Sequence, residues 1–269
     1  MIPAWNAAPF LAVTLESVLS ADLPPGSQIE VVDDCSTDAT PDIAAGFASR
    51  GVSYFRHDSQ QGAPANFNAC LTRSRGELVH VLHADDEIVA GFYTAAEAAL
   101  MKTEAVAAVC RTQYIDDVGA ATLVTRSESA TGIWHSALDV LAVSNRVRPP
   151  GIAVRRDAYE AVGGFDQDLP HAADWDMWVR LAEYGPLWFE DRILARYRVH
   201  EGQDTTAKVL DASNIAERVT ALKMINHRLP ADNQHLRKGL LYTSVFAARS
   251  SLRLARSGMW SGSAAQLLA

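Results

Sequence analysis

Two short apolar runs, Ile29 to Val32 and Leu78 to Leu82, each stop at a pair of aspartates, Asp33-Asp34 and Asp85-Asp86. A brief apolar run that ends in acids reads as a buried strand whose carboxyl end reaches a surface. In an open parallel sheet, ligands bind in the crevice beyond the carboxyl ends of the strands, so acids placed there line a pocket. Four carboxylates at one sheet edge repel each other and any diphosphate unless a divalent cation bridges their oxygens. The repeat therefore points to a nucleotide site that includes a metal ion.

The intervening segments fit that frame. Phe10, Leu11, Leu15, Val18 and Leu19 have helical spacing, and the helix they predict closes at Asp22-Leu23-Pro24-Pro25-Gly26. Ser36, Thr37 and Asp38 can cap a second helix that Pro41 opens, running to about Arg50. Val52 to Arg56 predicts a strand, Ala65 to Arg75 a helix, and Glu77 to Leu82 another strand. Strand and helix alternate at roughly 25-residue intervals, which predicts parallel strands joined by right-handed crossovers in a doubly wound α/β fold. Met1-Ile2-Pro3 reads as the end of a first strand whose body is missing, and the expectation is a natural start upstream. Beyond Glu87 the order loosens. A helix is expected near Ala90 to Thr103, a strand at Val106 to Cys110, then polar loops to about Gly132. Further on come a helix at Ala137 to Ser144 and a strand at Ile152 to Arg155. From Asp211 the pattern is helical with a break at Pro230, and Leu240 to Arg256 is amphipathic.

Hydrophobic residues make up 48% of the 269, enough to fill one large core or two small ones. No stretch approaches the ~18 apolar residues of a membrane span, and the opening lacks a signal peptide's charged and apolar regions. The expected compartment is the cytoplasm. Cys35, Cys70 and Cys110 are odd in number and widely spaced, which supports neither a disulfide framework nor a zinc knuckle. The net charge of −8 is unevenly spread: from residue 208 nine Lys/Arg stand against three acids, so the tail carries +6 and the body −14. An acidic body argues against nucleic acid as a partner. A basic, apolar-rich tail could touch anionic lipid or a lipid-linked substrate from the inner face of a membrane, or form a solvated helical face.

Seven segments, taken together, resemble glycosyltransferase family 2 enzymes with a GT-A fold. Ile2-Pro3-Ala4-Trp5-Asn6 is similar to the family's opening, and Val31-Val32-Asp33-Asp34-Cys35-Ser36-Thr37-Asp38 to its "VDDGSTD". Gly62 to Asn68 with Gly76-Glu77 looks like the segment before the metal motif, and His83-Ala84-Asp85-Asp86 like that motif itself, usually DxD or DADD. Gly163-Gly164-Phe165-Asp166, Asp174 to Leu181 and Tyr197-Arg198-Val199-His200 follow in the family's order. The resemblance covers about residues 1 to 205. It implies a Rossmann-like, mixed and mostly parallel sheet flanked by helices. Residues 1–105 would be the nucleotide half, 106–205 the acceptor half and 206–269 a helical extension.

The resemblance also implies a reaction: inverting transfer of a sugar from a nucleotide-diphosphate donor to a hydroxyl of a sugar or lipid-linked acceptor, in cell-surface polysaccharide or glycolipid synthesis. Asp85 and Asp86 would hold Mg²⁺ or Mn²⁺, Asp86 being favoured, while the other acid meets ribose or a ligand water. Pro3, Ala4, Asp33 and Asp34 would contact the nucleotide base, or the two acids would serve the turn. His200 would approach the metal or diphosphate, and Arg198 fits either a phosphate contact or a surface ion pair. Asp174 matches the family's general base, but a helix begins there and an Asp at that point also suits a cap. Asp176 stands four residues before Arg180, the spacing of a helical ion pair. Trp175, Trp178 and Leu181 form an apolar stripe suited to a core. Two residues depart from the pattern: His83 replaces the motif's first acid, and Ala173 the acid that precedes the base. A non-catalytic nucleotide-sugar-binding scaffold is the alternative. A sugar nucleotidyltransferase fits less well, because the chain lacks an N-terminal Gly-rich loop with a basic residue to grip a triphosphate.

Overall fold

A computed structural model describes residues 1–202, 209–229, 234–256 and 258–268. The chain opens with β1 (Ile2–Ala4), α1 (Leu11–Leu19), β2 (Ile29–Asp33), α2 (Thr40–Gly46), β3 (Val52–Arg56) and α3 (Ala63–Arg73). The three strands form a parallel sheet in the order β1-β2-β3. All five residues of β2 are buried, as expected for a strand with a neighbour on each side and helices across its faces. Glu30 and Asp33 are the charged exceptions there, and Glu30 pairs with Arg73 of α3.

The next elements are β4 (Leu78–Val79), β5 (Glu87–Ile88), α4 (Phe92–Lys102), β6 (Ala107–Ile115), β7 (Ala121–Val124), β8 (Gly132–Ile133), α5 (Ala137–Leu141), β9 (Ile152–Arg155), α6 (Arg156–Val162), α7 (Ala173–Tyr184) and β10 (Leu187–Arg198). They build a second sheet in the order β4-β9-β6-β10-β5, with β7 beside β6 and β8 beside β10. β6 and β10 run parallel over nine registered pairs, while β9, β5, β7 and β8 pair antiparallel. The Met1 carbonyl accepts the Leu82 N–H at 3.0 Å, so backbone bonding continues from the first sheet into the loop after β4. Together the two sheets and their helices make the mixed α/β architecture that the alternation predicts.

One expected loop is a strand. β6 continues past Cys110 to Ile115 and turns at Asp116, whose Oδ1 accepts the Val118 and Ala120 N–H groups, into β7. Thr112, Gln113 and Tyr114 look like loop residues in sequence, yet their backbones are held between β7 and β10. The apolar run of 78–82, conversely, supplies a strand of two residues.

Helices α8 (Ser213–Arg228), α9 (Gln234–Arg256) and α10 (Trp260–Leu268) follow, and the expected break at Pro230 lies outside the described residues. Leu222 and Ile225 of α8 sit in the same buried cluster as Trp175, Trp178 and Leu181 of α7. The α7 stripe is therefore core, and α8 of the basic tail is packed onto it. A second cluster under the first sheet contains Leu11, Leu15, Val31, Phe92 and Leu100.

Candidate active site

The first and second motifs interlock through their polar groups. The Asn6 N–H donates to Ser36 Oγ, Ala7 N–H to Thr40 Oγ1 and Ala8 N–H to Asp38 Oδ2, while the Thr37 N–H donates to Asn6 Oδ1. Three backbone amides of the first turn are thus satisfied by the second loop and one of the second by the first, which fixes the carboxyl ends of β1 and β2 against each other.

Asp33 is fully buried. Its Oδ1 accepts the Ser36 N–H at 3.0 Å and its Oδ2 the Tyr54 hydroxyl at 2.6 Å. Burial and this bond push the Tyr54 hydroxyl up to about 12. Asp34, 3% exposed, accepts the Gln61 N–H at 2.7 Å and the Gly62 N–H at 2.8 Å. Gly62 has φ 90°, and its loop leads directly into α3. The Asp34 N–H itself donates to the Ala4 carbonyl. The pair thus shapes the rim of the crevice, with all four carboxylate oxygens engaged.

The second acidic pair divides differently. Asp86 is fully buried, and its Oδ1 accepts the Arg198 N–H at 2.8 Å. Its Oδ2 is buried with no hydrogen-bond partner. Burial first, and then the charge of Asp85, hold the Asp86 carboxyl well above the usual carboxylate range. Asp85 is partly exposed, and its Oδ2 lies 3.1 Å from His200 Nε2. His200 also packs on Phe10, ring centroids 4.5 Å apart. One donor atom from each of His83, Asp85 and Asp86 lies within 4.8 Å of the others. An orphaned carboxylate oxygen, a second carboxylate and an imidazole form a donor set that fits Mn²⁺ or Mg²⁺.

Arg198 is neither a phosphate contact nor a surface ion pair. It is 3% exposed, with Nε donating to the Asp85 carbonyl at 2.8 Å, Nη1 to the Asp116 carbonyl at 3.0 Å and Nη2 to Glu87. The buried guanidinium clasps the acidic loop to the end of β10 and so sets His200 beside Asp85.

His83 occupies the centre. Its ring stacks on Phe67 at 5.1 Å, and Phe67 meets Phe165 edge-on at 5.3 Å. Asn68 clamps Phe165 from both sides, donating to its carbonyl at 2.9 Å and accepting its N–H at 2.6 Å. A Cβ on Gly164 would stand 2.4 Å from Asn68 Oδ1, which accounts for glycine there. Burial lowers the His83 pKa, while the charges of both Asp85 and Asp174 act on it in the opposite sense. The metal motif and the expected base therefore both lie within electrostatic reach of one imidazole.

Asp174 is the second residue of α7, not its N-cap, a place taken by Ala172 without any side-chain cap. The two amides just ahead of α7, those of His171 and Ala172, donate to Glu217 Oε1 of α8. Asp174 Oδ2 accepts from Asn145 Nδ2 at 3.0 Å, and Oδ1 accepts the Trp175 N–H at 2.6 Å. Asp176 makes the predicted pair with Arg180, at 2.7 Å, and a second with Arg228 of α8 at 2.8 Å. Asn145, Arg148, Glu217 and Arg218 surround Asp174 but carry no motif. The only sequence cue was the Arg148-Pro149-Pro150-Gly151 turn.

Comparison with known proteins agrees with this layout. An uncharacterised protein of Mycobacterium tuberculosis is 27% identical over 244 residues, 81% of this chain and 72% of that protein. The putative teichuronic acid biosynthesis glycosyltransferase TuaG of Bacillus subtilis is 36% identical over 89 residues, 32% of this chain and 34% of that protein. Among curated relatives, then, the matched stretch can be as little as a quarter of their length. Two solved structures share the fold: Staphylococcus aureus TarS in complex with UDP-GlcNAc and the mannosyltransferase PcManGT of Pyrobaculum calidifontis in complex with GDP-Man and Mn²⁺. TarS has a TM-score of 0.72 at 18% identity, over 97% of this chain and 78% of TarS. PcManGT has a TM-score of 0.66 at 19% identity, over 99% and 72%. The model of glycosyl transferase family 2 matches residues 1–163, from the first strand through the acidic loop to the glycine pair. The chain belongs to glycosyl transferase family 2 and is a glycosyltransferase of GT-A fold.

Proposed function

We propose that the chain moves a sugar, with inversion, from a nucleotide-diphosphate sugar to an acceptor hydroxyl, with Asp174 as general base. One observation supports this reading: His83, stacked on Phe67 beside the acidic loop, lies within electrostatic reach of both Asp85 and Asp174, so the metal motif and the proposed base act on one ring. An inverting attack needs a carboxylate on the face opposite the leaving group. Asp174 meets that need, with one oxygen oriented by Asn145 and the carboxylate fixed on the first turn of α7.

Pro3, Ala4, Asp33 and Asp34 line the base end of the crevice, the two acids acting through the turns they hold. Asp85, Asp86 and His200 hold the divalent cation, Mg²⁺ or Mn²⁺, with Asp85 presented to the diphosphate and Asp86 Oδ2 behind it. The cation neutralises charge on the departing diphosphate. His83 in place of an acid leaves this set with one carboxylate fewer. We read residues 1–205 as the transferase domain and 206–269 as its extension.

By analogy with TuaG, whose name refers to a cell-wall polysaccharide, the product is a cell-surface polysaccharide or glycolipid. No described helix is long and apolar enough to cross a membrane. Peripheral contact at a cytoplasmic membrane face is supported by α9, where Arg249, Arg253 and Arg256 line an open groove with Leu252.

Asp174→Asn tests the reading. Turnover should fall by about 10²–10⁴-fold, while nucleotide binding, followed by thermal shift with UDP, GDP, dTDP and CDP plus Mn²⁺, stays within twofold. Turnover within threefold of the wild type would remove Asp174 as the base. A folded wild type that binds one of the nucleotides but turns nothing over would favour the scaffold alternative.

A further inference from the structure

Arg146, Arg148 and Arg218 converge on the Asp174 end of the site with too little negative charge to balance them. Arg148 donates from Nε to the Tyr114 hydroxyl at 2.6 Å, and its two other nitrogens reach backbone carbonyls only at 3.5 Å. Arg218 projects from α8 into a slot between the rings of Trp175, at 5.1 Å, and Phe246, at 5.0 Å. Its Nε is buried without a hydrogen-bond partner. Arg146 lies 5.5 Å over the Tyr242 ring, and its nearest carboxylate, Glu128, stands 3.9 Å away. Among the described residues, neither Arg148 nor Arg218 forms an ion pair with a carboxylate, and Asp174 spends its oxygens on Asn145 and Trp175. Burial, followed by the charges of Arg148 and Arg146, lowers Arg218 to about 10, with Asp174 opposing.

Clustering three guanidinium groups in a partly dry site is costly unless an anion completes it. Against the charges of Asp174 and Glu128 the three leave an excess of +1, which a phosphate group would offset. The planar fork of arginine matches phosphate oxygens in pairs. Two of the aromatic walls, Tyr242 and Phe246, come from α9, so the C-terminal extension helps to close the site. In the proposed reading the leaving diphosphate sits instead at Asp85, which His200 contacts at 3.1 Å.

We infer that Arg146, Arg148 and Arg218 form an anion subsite that takes a phosphate group carried by the acceptor near its attacked hydroxyl. This rests on the reading of Asp174 as the base. The phosphate belongs either to the headgroup of a lipid-linked acceptor or to a phosphate along a soluble or polymeric one.

Inorganic phosphate is the probe. Titrated calorimetrically into the full chain in EDTA, it should bind the wild type and lose at least tenfold in affinity in Arg218→Gln and in Arg146→Gln. In the same variants the nucleotide diphosphate with Mn²⁺ should bind within twofold of the wild type. Arg218→Lys, which keeps the charge, should retain part of the phosphate affinity. Because Arg146 is only partly buried, its variant remains informative if a substitution at Arg218 unfolds α8. Unchanged phosphate affinity in both Gln variants would overturn the inference. A parallel loss of nucleotide affinity would also overturn it, by assigning the arginines to the leaving diphosphate. A wild type that binds phosphate but no nucleotide would remove the acceptor assignment along with the transferase reading. Flotation with phosphatidylglycerol against phosphatidylcholine vesicles separates the sources. Capture that depends on Arg218 supports the lipid headgroup, and phosphate binding without capture supports the non-lipid acceptor.

Discussion

Glu217→Ala isolates the contact by which the C-terminal extension holds the catalytic helix. Glu217 Oε1 accepts the N–H groups of His171 and Ala172 at the start of α7, which has no side-chain cap of its own. Those amides stand just ahead of the first turn, where the helix offers them no partner. Removing a capping acceptor costs about 1 kcal/mol, and losing a negative charge from the positive end of the helix dipole costs a further 0.3–1 kcal/mol or so. Because one carboxylate serves two amides in a partly buried setting, we expect about 2 kcal/mol in all. For a chain of this size each kcal/mol shifts Tm by about 2–4 °C, so the variant should melt about 4–8 °C lower by circular dichroism. Glu217→Gln keeps the acceptor oxygen and loses only the charge, and should fall less than half as far. Since Asp174 lies on the first turn of α7, kcat should fall in both variants, with the donor KM unchanged. An alanine variant melting within 1 °C of the wild type, or a glutamine variant melting below it, would refute the capping role.

Three further outcomes are expected. Burial, then the nearby amino terminus, lowers His80 to about 3, against its ordinary 6.5. The unfolded chain therefore takes up a proton that the folded chain refuses between those values. Stability should fall by about 1.4 kcal/mol for each pH unit below 6.5, and His80→Gln should flatten that slope in urea titrations. The Asp86 carboxyl is held above its ordinary range and Mn²⁺ favours its ionised form. The Mn²⁺ thermal shift should therefore grow as pH rises, vanish on chelation and shrink in Asp86→Asn; a shift independent of pH would count against Asp86 as a ligand. Arg198→Met strands Glu87 and the Asp85 carbonyl, and should destabilise by about 3 kcal/mol in denaturant melts; a change under 1 kcal/mol would contradict the clasp.

Parts of the site that rest on short-range pattern were legible in the sequence. The strand ends at Asp33 and the loop at Asp85 are announced by apolar runs that stop at acids, and the Asp176–Arg180 pair by helical spacing. Asp86 is favoured over Asp85 only through the family resemblance, because neighbouring acids have the same local signature. Only the return of Arg198 from residue 198, with its N–H on Asp86 and its Nε on the Asp85 carbonyl, makes one inward and the other outward. The capping role of Glu217 escaped for a similar reason: an aspartate near a helix start is the obvious cap, whereas the real one comes from 45 residues further along the chain. Residues 111–115 read as loop because their side chains are polar, although strand pairing is a backbone affair and β10 supplies the partner.

The Arg198 guanidinium has a mechanical consequence. It binds the carbonyl of Asp85 on one side and that of Asp116, at the tip of the β6–β7 hairpin, on the other. The hairpin cannot swing away without breaking a bond to the acidic loop, and the acidic loop cannot shift without tugging the hairpin. Whatever docks against residues 116–124 is therefore geared to the carboxylates, so a change of loop sequence made to alter one substrate's fit will also retune the grip on the other.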